Sequence, residues 1–194
     1  MSGPRYRVAF RRRRINLTDY QMRKSMILSG KLRLIVRLSS KYLYIQLAEP
    51  SELGDNVLAF VCSKELGKFG WKASSCNTSA AYLSGLLIGK RALDLGIKEA
   101  ILDIGLRRPS IGARVFAVLK GVTDVGLSVP YNEKILPSDE RIAGEHIASY
   151  AKKLLEEDQQ KYGRIFSYHL SQGLKPESLP DHFRIVKNNI IKGE

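Results

Sequence analysis

The sequence predicts an α/β fold. Its mixed sheet is an N-terminal hairpin followed by strand–helix–strand–helix–strand, with a basic arm before it and a helical extension after it. Three observations carry this. Residues 32–47 alternate apolar and polar side chains with the two-residue period of a half-buried strand pair. Further on, two long apolar stretches of helical length are separated by short β-rich runs, the pattern of a layered α/β core. Charge is also divided unevenly. The first 44 residues hold 12 of the chain's 32 Lys and Arg against a single acid, Asp19, and so carry +11 of the total +13. We divide the chain into a basic arm and short helix (1–30), an α/β body (31–137) and a helical and extended C-terminal extension (138–194).

The elements follow in order. Residues 1–16 are too charged to bury and are expected to be extended until bound. Thr18 and Asp19 can cap a short helix over Tyr20–Leu28 that stops near Gly30. Leu32, Leu34, Val36 and Leu38 share one strand face and Arg33, Ile35 and Arg37 the other. After the Ser39-Ser40-Lys41 turn, Leu43, Ile45 and Leu47 face one way, and Tyr42, Tyr44 and Gln46 face the other. Glu49–Asn56, with Pro50 and Gly54, reads as a loop into a third strand, Val57–Cys62. Lys64–Cys76 is less regular. Asn77 or Thr78 caps a helix running to about Leu95 and stopped by Gly96, whose Ala81, Gly85 and Gly89 permit close approach to a sheet. Glu99–Ile104 is a short strand, Gly105–Gly112 a loop, Ala113–Asp124 a helix ending at Gly126, and Leu127–Val129 a last strand closed by Pro130. Ser138 then caps a long helix with an apolar stripe of Ile142, His146, Ile147, Tyr150, Leu154 and Leu155. After Gly163 the tail has a short helix expected at Ile165–Leu170, then Pro176, Pro180 and a mixed apolar-basic end from Phe183 to Lys192. It has little to fold onto by itself and is expected to dock on a partner.

A cationic arm on a nearly neutral body points to a polyanion, because clustered bases gain affinity by releasing counterions from phosphates. Nine of the 12 bases are Arg, which forks onto phosphate and stacks on bases as Lys cannot. Tyr6, Phe10 and Tyr20 are interleaved with them, and aromatic faces suit unstacked nucleotides. No run of about 18 apolar residues implies a membrane span, and Arg11–Arg14 interrupt any secretory core. Cys62 and Cys76 fit a reducing interior better than a disulfide or zinc site, so a cytoplasmic protein is expected.

Catalytic patterns fail on inspection. Gly85-Leu-Leu-Ile-Gly89-Lys90-Arg91 has too short a glycine spacing for a phosphate loop, has Arg where Ser or Thr should follow Lys, and lies inside a predicted helix. His146, His169 and His182 lack metal-ligand spacing. Asp103 and Asp124 have no nucleophile or histidine placed to use them. No cofactor and no metal is expected, and no DNA-binding motif is present. The alternative reading is an RNA-modifying or RNA-processing enzyme that uses the arm to capture substrate.

Several blocks then resemble one family in its own order across roughly residues 5–150. They are Phe10-Arg-Arg-Arg-Arg-Ile-Asn-Leu-Thr-Asp-Tyr20, Leu32–Arg37, Lys64–Lys72, Asn77–Lys90, Leu102-Asp-Ile-Gly-Leu-Arg-Arg-Pro109, Arg114–Gly121 and Ile135–Arg141. Together they are similar to the archaeal and eukaryotic 5S-rRNA-binding proteins of the large ribosomal subunit, the L-eighteen family. The chain departs from some relatives, conservatively, at Arg91, Val118 and Val125. It lacks the long C-terminal region expected of eukaryotic members, which leads us to expect an archaeal source.

The resemblance implies a structural protein that holds 5S rRNA in the central protuberance, with 23S rRNA and neighbouring large-subunit proteins as further partners. It implies RNA contact at Arg5, Arg7, Phe10, Arg11, Arg12, Arg13, Arg14, Tyr20, Arg23 and Lys24. It extends that expectation to Arg33, Arg37, Lys41, Tyr42, Lys64, Lys68, Lys72, Arg107 and Arg108.

Overall fold

A computed structural model describes Pro4, residues 6–51 and residues 54–193. The expected hairpin forms as β1 (Arg33–Leu38) and β2 (Leu43–Ser51), with Leu38 opposite Leu43, Val36 opposite Ile45 and Leu34 opposite Leu47. Its turn is closed by Ser39, whose hydroxyl accepts the Tyr42 amide at 2.9 Å and donates to the Tyr42 carbonyl at 2.7 Å. β3 (Gly54–Cys62) pairs antiparallel with β2, and β4 (Ile101–Asp103) runs parallel to β1, giving the order β3-β2-β1-β4.

Two expectations about the strands change. Most of Glu49–Asn56 is paired strand, with Glu49 opposite Asn56 and Pro50 opposite Asp55. Pro50 is tolerated because the β1 ladder has already ended at Ala48, so its missing N–H removes no bond there. Leu127–Val129 makes only an isolated parallel bridge, Ser128 to Glu99. Pro130 has no N–H to extend it.

The oily face of the sheet is fully buried at Leu34, Val36, Leu43, Ile45, Leu47 and Val61. Helix α3 (Thr78–Asp94) covers it, started by the Asn77 side chain, which accepts the Ala80 amide at 2.7 Å. Gly85 and Gly89 do not serve a sheet contact. They open the crossing with α4 (Arg114–Val125), where a Cβ on Gly85 would lie 3.0 Å from the Val118 carbonyl carbon. A Cβ on Gly121 would lie 2.9 Å from the Leu86 amide nitrogen. Both clashes are with backbone, which has nowhere to go. Gly121→Ala is therefore expected near the upper end of overpacking costs, about 3 kcal/mol. At this chain size that lowers Tm by roughly 6–12 °C. Calorimetry showing an unchanged Tm would mean that the helices can slide apart freely.

The predicted long C-terminal helix is broken. α5 (Asp139–Ala143) and α6 (Glu145–Glu157) meet at Gly144, which is buried at φ +87°. Its missing Cβ leaves room for Leu179, whose Cδ2 would otherwise be 2.8 Å away. Ile142 and Leu154 of the expected stripe are buried, while Tyr150 and Leu155 are exposed. Two short helices, α7 (Gln159–Ile165) and α8 (Ser167–Ser171), lead to α9 (Leu179–Lys192).

The tail packs on its own body. Leu179, Phe183, Val186 and Ile190, spaced three and four apart, bury one face of α9 in the main core. The His182 ring stacks on Trp71 at 5.2 Å and accepts the Lys72 amide at 3.1 Å. Burial, helped by the Lys72 charge, pushes its pKa below the usual histidine value. Lys90 Nζ donates to the carbonyls of Ile190 and Ile191 at 3.3 Å each, closing the C-terminal end of α9.

Candidate nucleic-acid interface

The arm is not extended throughout. Arg11–Arg14 form one helical turn, α1, with no buried side chain, and Arg12 Nε donates to Thr18 Oγ1 at 2.9 Å. Phe10 lies against Tyr20 at 5.2 Å between ring centroids, folding the arm back over the start of α2 (Tyr20–Leu28). Asp19 caps α2 by accepting the amides of Gln21 and Met22 at 2.9 and 3.1 Å. Four adjacent guanidinium groups on a solvated turn repel one another, and an anion relieves that repulsion.

Helix α2 lies over the sheet face opposite α3. A cavity of about 130 Å³ between them is lined by Arg12, Asp19, Met22, Arg23, Arg33, Ile35, Arg37, Asp55 and Asp103, among others. An ion network ties the layers together. Arg23 on α2 bonds Asp55 on β3 at 3.0 Å, and Asp55 also pairs with Arg33 on β1. Arg33 reaches Asp103 on β4 at 3.4 Å, and Arg37 meets the same carboxylate at 2.9 Å. Asp103 accepts two further bonds. Its Oδ1 accepts the Gly105 amide at 2.9 Å, and its carbonyl accepts Arg37 Nη1 at 2.7 Å. Gly105 sits at φ +67°, and a Cβ there would lie 3.1 Å from the Arg37 guanidinium carbon.

This network separates two residues that the sequence placed together. Arg33 is 2% exposed and is enclosed by two carboxylates. Arg37 keeps 46% of its side chain open to solvent. Among the other expected residues, Arg7, Phe10, Arg11–Arg14, Lys24, Lys41, Lys64, Lys68, Lys72, Arg107 and Arg108 are exposed, and Tyr20, Arg23 and Tyr42 are half-buried. Arg5 lies outside the described residues.

At one end of the sheet, Arg107 Nη2 donates to the Leu38 carbonyl at 2.7 Å, bringing the Gly105–Gly112 loop against the β1–β2 turn with Lys41 and Tyr42. Lys41 Nζ lies 5.8 Å from the Tyr42 ring centre. Lys64 and Lys68 belong to a 3₁₀ segment, Ser63–Phe69. That segment is anchored by the ion pair of Glu65 with Arg91 at 2.6 Å. Burial pushes the Glu65 pKa up, but the Arg91 hydrogen bond and the Cys62 amide outweigh it and hold it below the usual range.

Phe60 went unnoticed in the sequence. It stands opposite Gln46, and it is 42% exposed beside the exposed Tyr44. Its signal was the alternation in β3, where Ala59 and Val61 turn inward. Arg37, Tyr44 and Phe60 make the open part of this face flat, basic and aromatic, able to take phosphate and an unstacked base together.

Comparison with known proteins identifies the family. Residues 4–99 and 96–132 match the family described as ribosomal large subunit proteins 60S L5 and 50S L18. The chain is 51% identical over 189 residues to the large ribosomal subunit protein uL18 of Aeropyrum pernix, covering 97% of this chain and 88% of the relative. It is 52% identical over 191 residues to the uL18 of Desulfurococcus amylolyticus, covering 98% and 96%. With the uL18 of Thermofilum pendens it shares 50% over 188 residues, covering 97% and 96%. Alignments of 188 to 191 residues take in the arm, the sheet and the tail helix alike, and the chain belongs to the ribosomal large-subunit family of 60S L5 and 50S L18, in its archaeal uL18 form.

Proposed function

We propose that this chain is a structural component of the large ribosomal subunit that binds 5S rRNA and helps fix it to the central protuberance. 23S rRNA and adjacent ribosomal proteins are its further partners. The observation that carries the RNA reading is the exposed Arg11–Arg14 turn, whose Arg12 lines one cavity with Arg37 of the open Arg37–Tyr44–Phe60 face. Arg7, Arg11–Arg14 and Lys24 neutralise phosphates, and Phe10 and Tyr20 offer stacking surfaces. Lys41, Tyr42, Lys64, Lys68 and Lys72 extend the contact. Arg23 and Arg33 serve it indirectly, by fixing α2 and the sheet to each other through Asp55 and Asp103.

If about six phosphates are neutralised, affinity for 5S rRNA should fall roughly 10³-fold between 50 and 200 mM salt. A filter-binding titration reads this directly. A flat salt response would defeat the electrostatic account, and equal affinity for any RNA of the same length would defeat the 5S assignment.

A further inference from the structure

A second basic site lies where β1 and β4 end, in a cavity that no described arm residue lines. β1 and β4 are parallel neighbours, and their carboxyl ends open into a cavity of about 440 Å³ bordered by Leu38 and Ile104. In parallel sheets, ligands seat in the crevice outside the strands' carboxyl ends. Among the described residues, four arginines line this one, Arg107, Arg108, Arg114 and Arg141, and no carboxylate does. The contrast with the cavity under α2 is direct, because there Asp19, Asp55 and Asp103 stand among the arginines.

The four arginines come from three places in the chain, so their convergence is a product of the fold. Two are held by neutral acceptors. Arg107 donates to the Leu38 carbonyl at 2.7 Å, and Arg114 Nη1 donates to the Cys76 carbonyl at 2.6 Å and approaches Cys76 Sγ at 2.8 Å. Neither acceptor cancels the charge. Arg108 and Arg141 make no hydrogen bond or ion pair with any described residue. Ala113, the N-cap of the 12-residue α4, and Arg114, Val115 and Phe116 of its first turn also line the cavity. Ala113 has no side chain with which to cap that helix, and the first turn holds no acid. The helix therefore turns its positive end into a space already lined by cations. Like charges gathered without a counter-charge are relieved by an anion, and planar guanidinium groups fork onto phosphate.

We propose that this cavity seats a backbone phosphate of RNA, with Arg108 and Arg141 as its ligands, Arg107 and Arg114 as pre-set flanking charges, and the Arg114 and Val115 amides pointing at the phosphate oxygens. Arg141 thereby gives α5, which opens the C-terminal extension, a place in RNA binding. The inference rests on the RNA-binding reading above, and it adds a site built without the described residues of the arm.

The test uses the full chain and the variant R108A/R141A, whose two side chains hold no part of the fold. Inorganic phosphate titrated into labelled protein should shift the Arg114 and Val115 amide resonances saturably in the parent chain and not in the variant. A shift that never saturates, or that is the same in the variant, overturns the site. With RNA, the variant should lose about one unit or more of the salt slope toward 5S rRNA or a 23S rRNA fragment. If phosphate binding is lost while both slopes stay unchanged, the site takes free anions and the RNA assignment is overturned. A parent chain that binds phosphate here but has no affinity for either RNA removes the RNA reading itself. That outcome is distinct from loss of the site.

Discussion

Asp103→Ala is expected to destabilise the fold by about 3–5 kcal/mol, because it leaves a buried cation without half of its counter-charge. Arg33 is 2% exposed and sits between Asp55 and Asp103, so removing Asp103 strips one of its two carboxylates without letting water in. The same substitution removes the acceptor for the Gly105 amide and for Arg37 Nη2. β4 is only three residues long, and Asp103 is its last residue, opposite Ile35. Few other bonds hold that edge. In urea unfolding the midpoint should fall with little change in slope, and Tm should fall by roughly 6–20 °C. Asp103→Asn keeps the shape and an acceptor and should cost less. The double variant R33M/D103L removes both charges and should recover much of the loss, since the penalty belongs to the unpaired ion. A double variant as unstable as Asp103→Ala would place the cost in packing instead.

The same residues show what was legible in the sequence and what was not. Alternation fixes which face of a strand a residue occupies, so the hairpin, its oily side and the exposure of Arg37 and Tyr44 were readable from residues 32–47. Alternation says nothing about what lies over the other side. Arg33 and Arg37 share a face and differ only in what covers them. Asp55 arrives at Arg33 from a segment read as loop, and Asp103 from 70 residues away. Long-range pairing of charges has no local signature.

The helix glycines fail for a related reason. Small residues at Gly85 and Gly89 announce a close approach but not the partner, which is α4 rather than the sheet. The tail helix carried its signal openly in the spacing of Leu179, Phe183, Val186 and Ile190. What was hidden was the apolar surface on α3 that receives it, since α3 is buried nearly all round and no single stripe stands out.

Replacing Arg11–Arg14 together with alanine should leave the fold intact and reduce RNA binding more than any other change of four residues. The turn buries no side chain, and its Arg12–Thr18 bond lies on the surface, so Tm should move little. Each lost phosphate contact removes about 0.9 from the slope of log K against log salt, or somewhat less for single strands. Four lost contacts out of about six change the fall between 50 and 200 mM salt from roughly 10³-fold to roughly tenfold. Replacing the four with lysine separates charge from geometry. The salt slope should be retained, because the charge is the same, while affinity at every salt concentration drops by the lost bidentate bonds and stacking. If the alanine variant keeps the parent slope, the turn is not at the RNA and the phosphate contacts come from the sheet face and loops alone. If its Tm collapses, the turn is part of the fold, and the Arg12–Thr18 bond at 2.9 Å helps to hold the start of α2 in place. With the slope reduced and the melting preserved, the arm binds as a surface element, and the Arg23–Asp55–Arg33–Asp103 network supplies the rigid base from which it reaches the RNA.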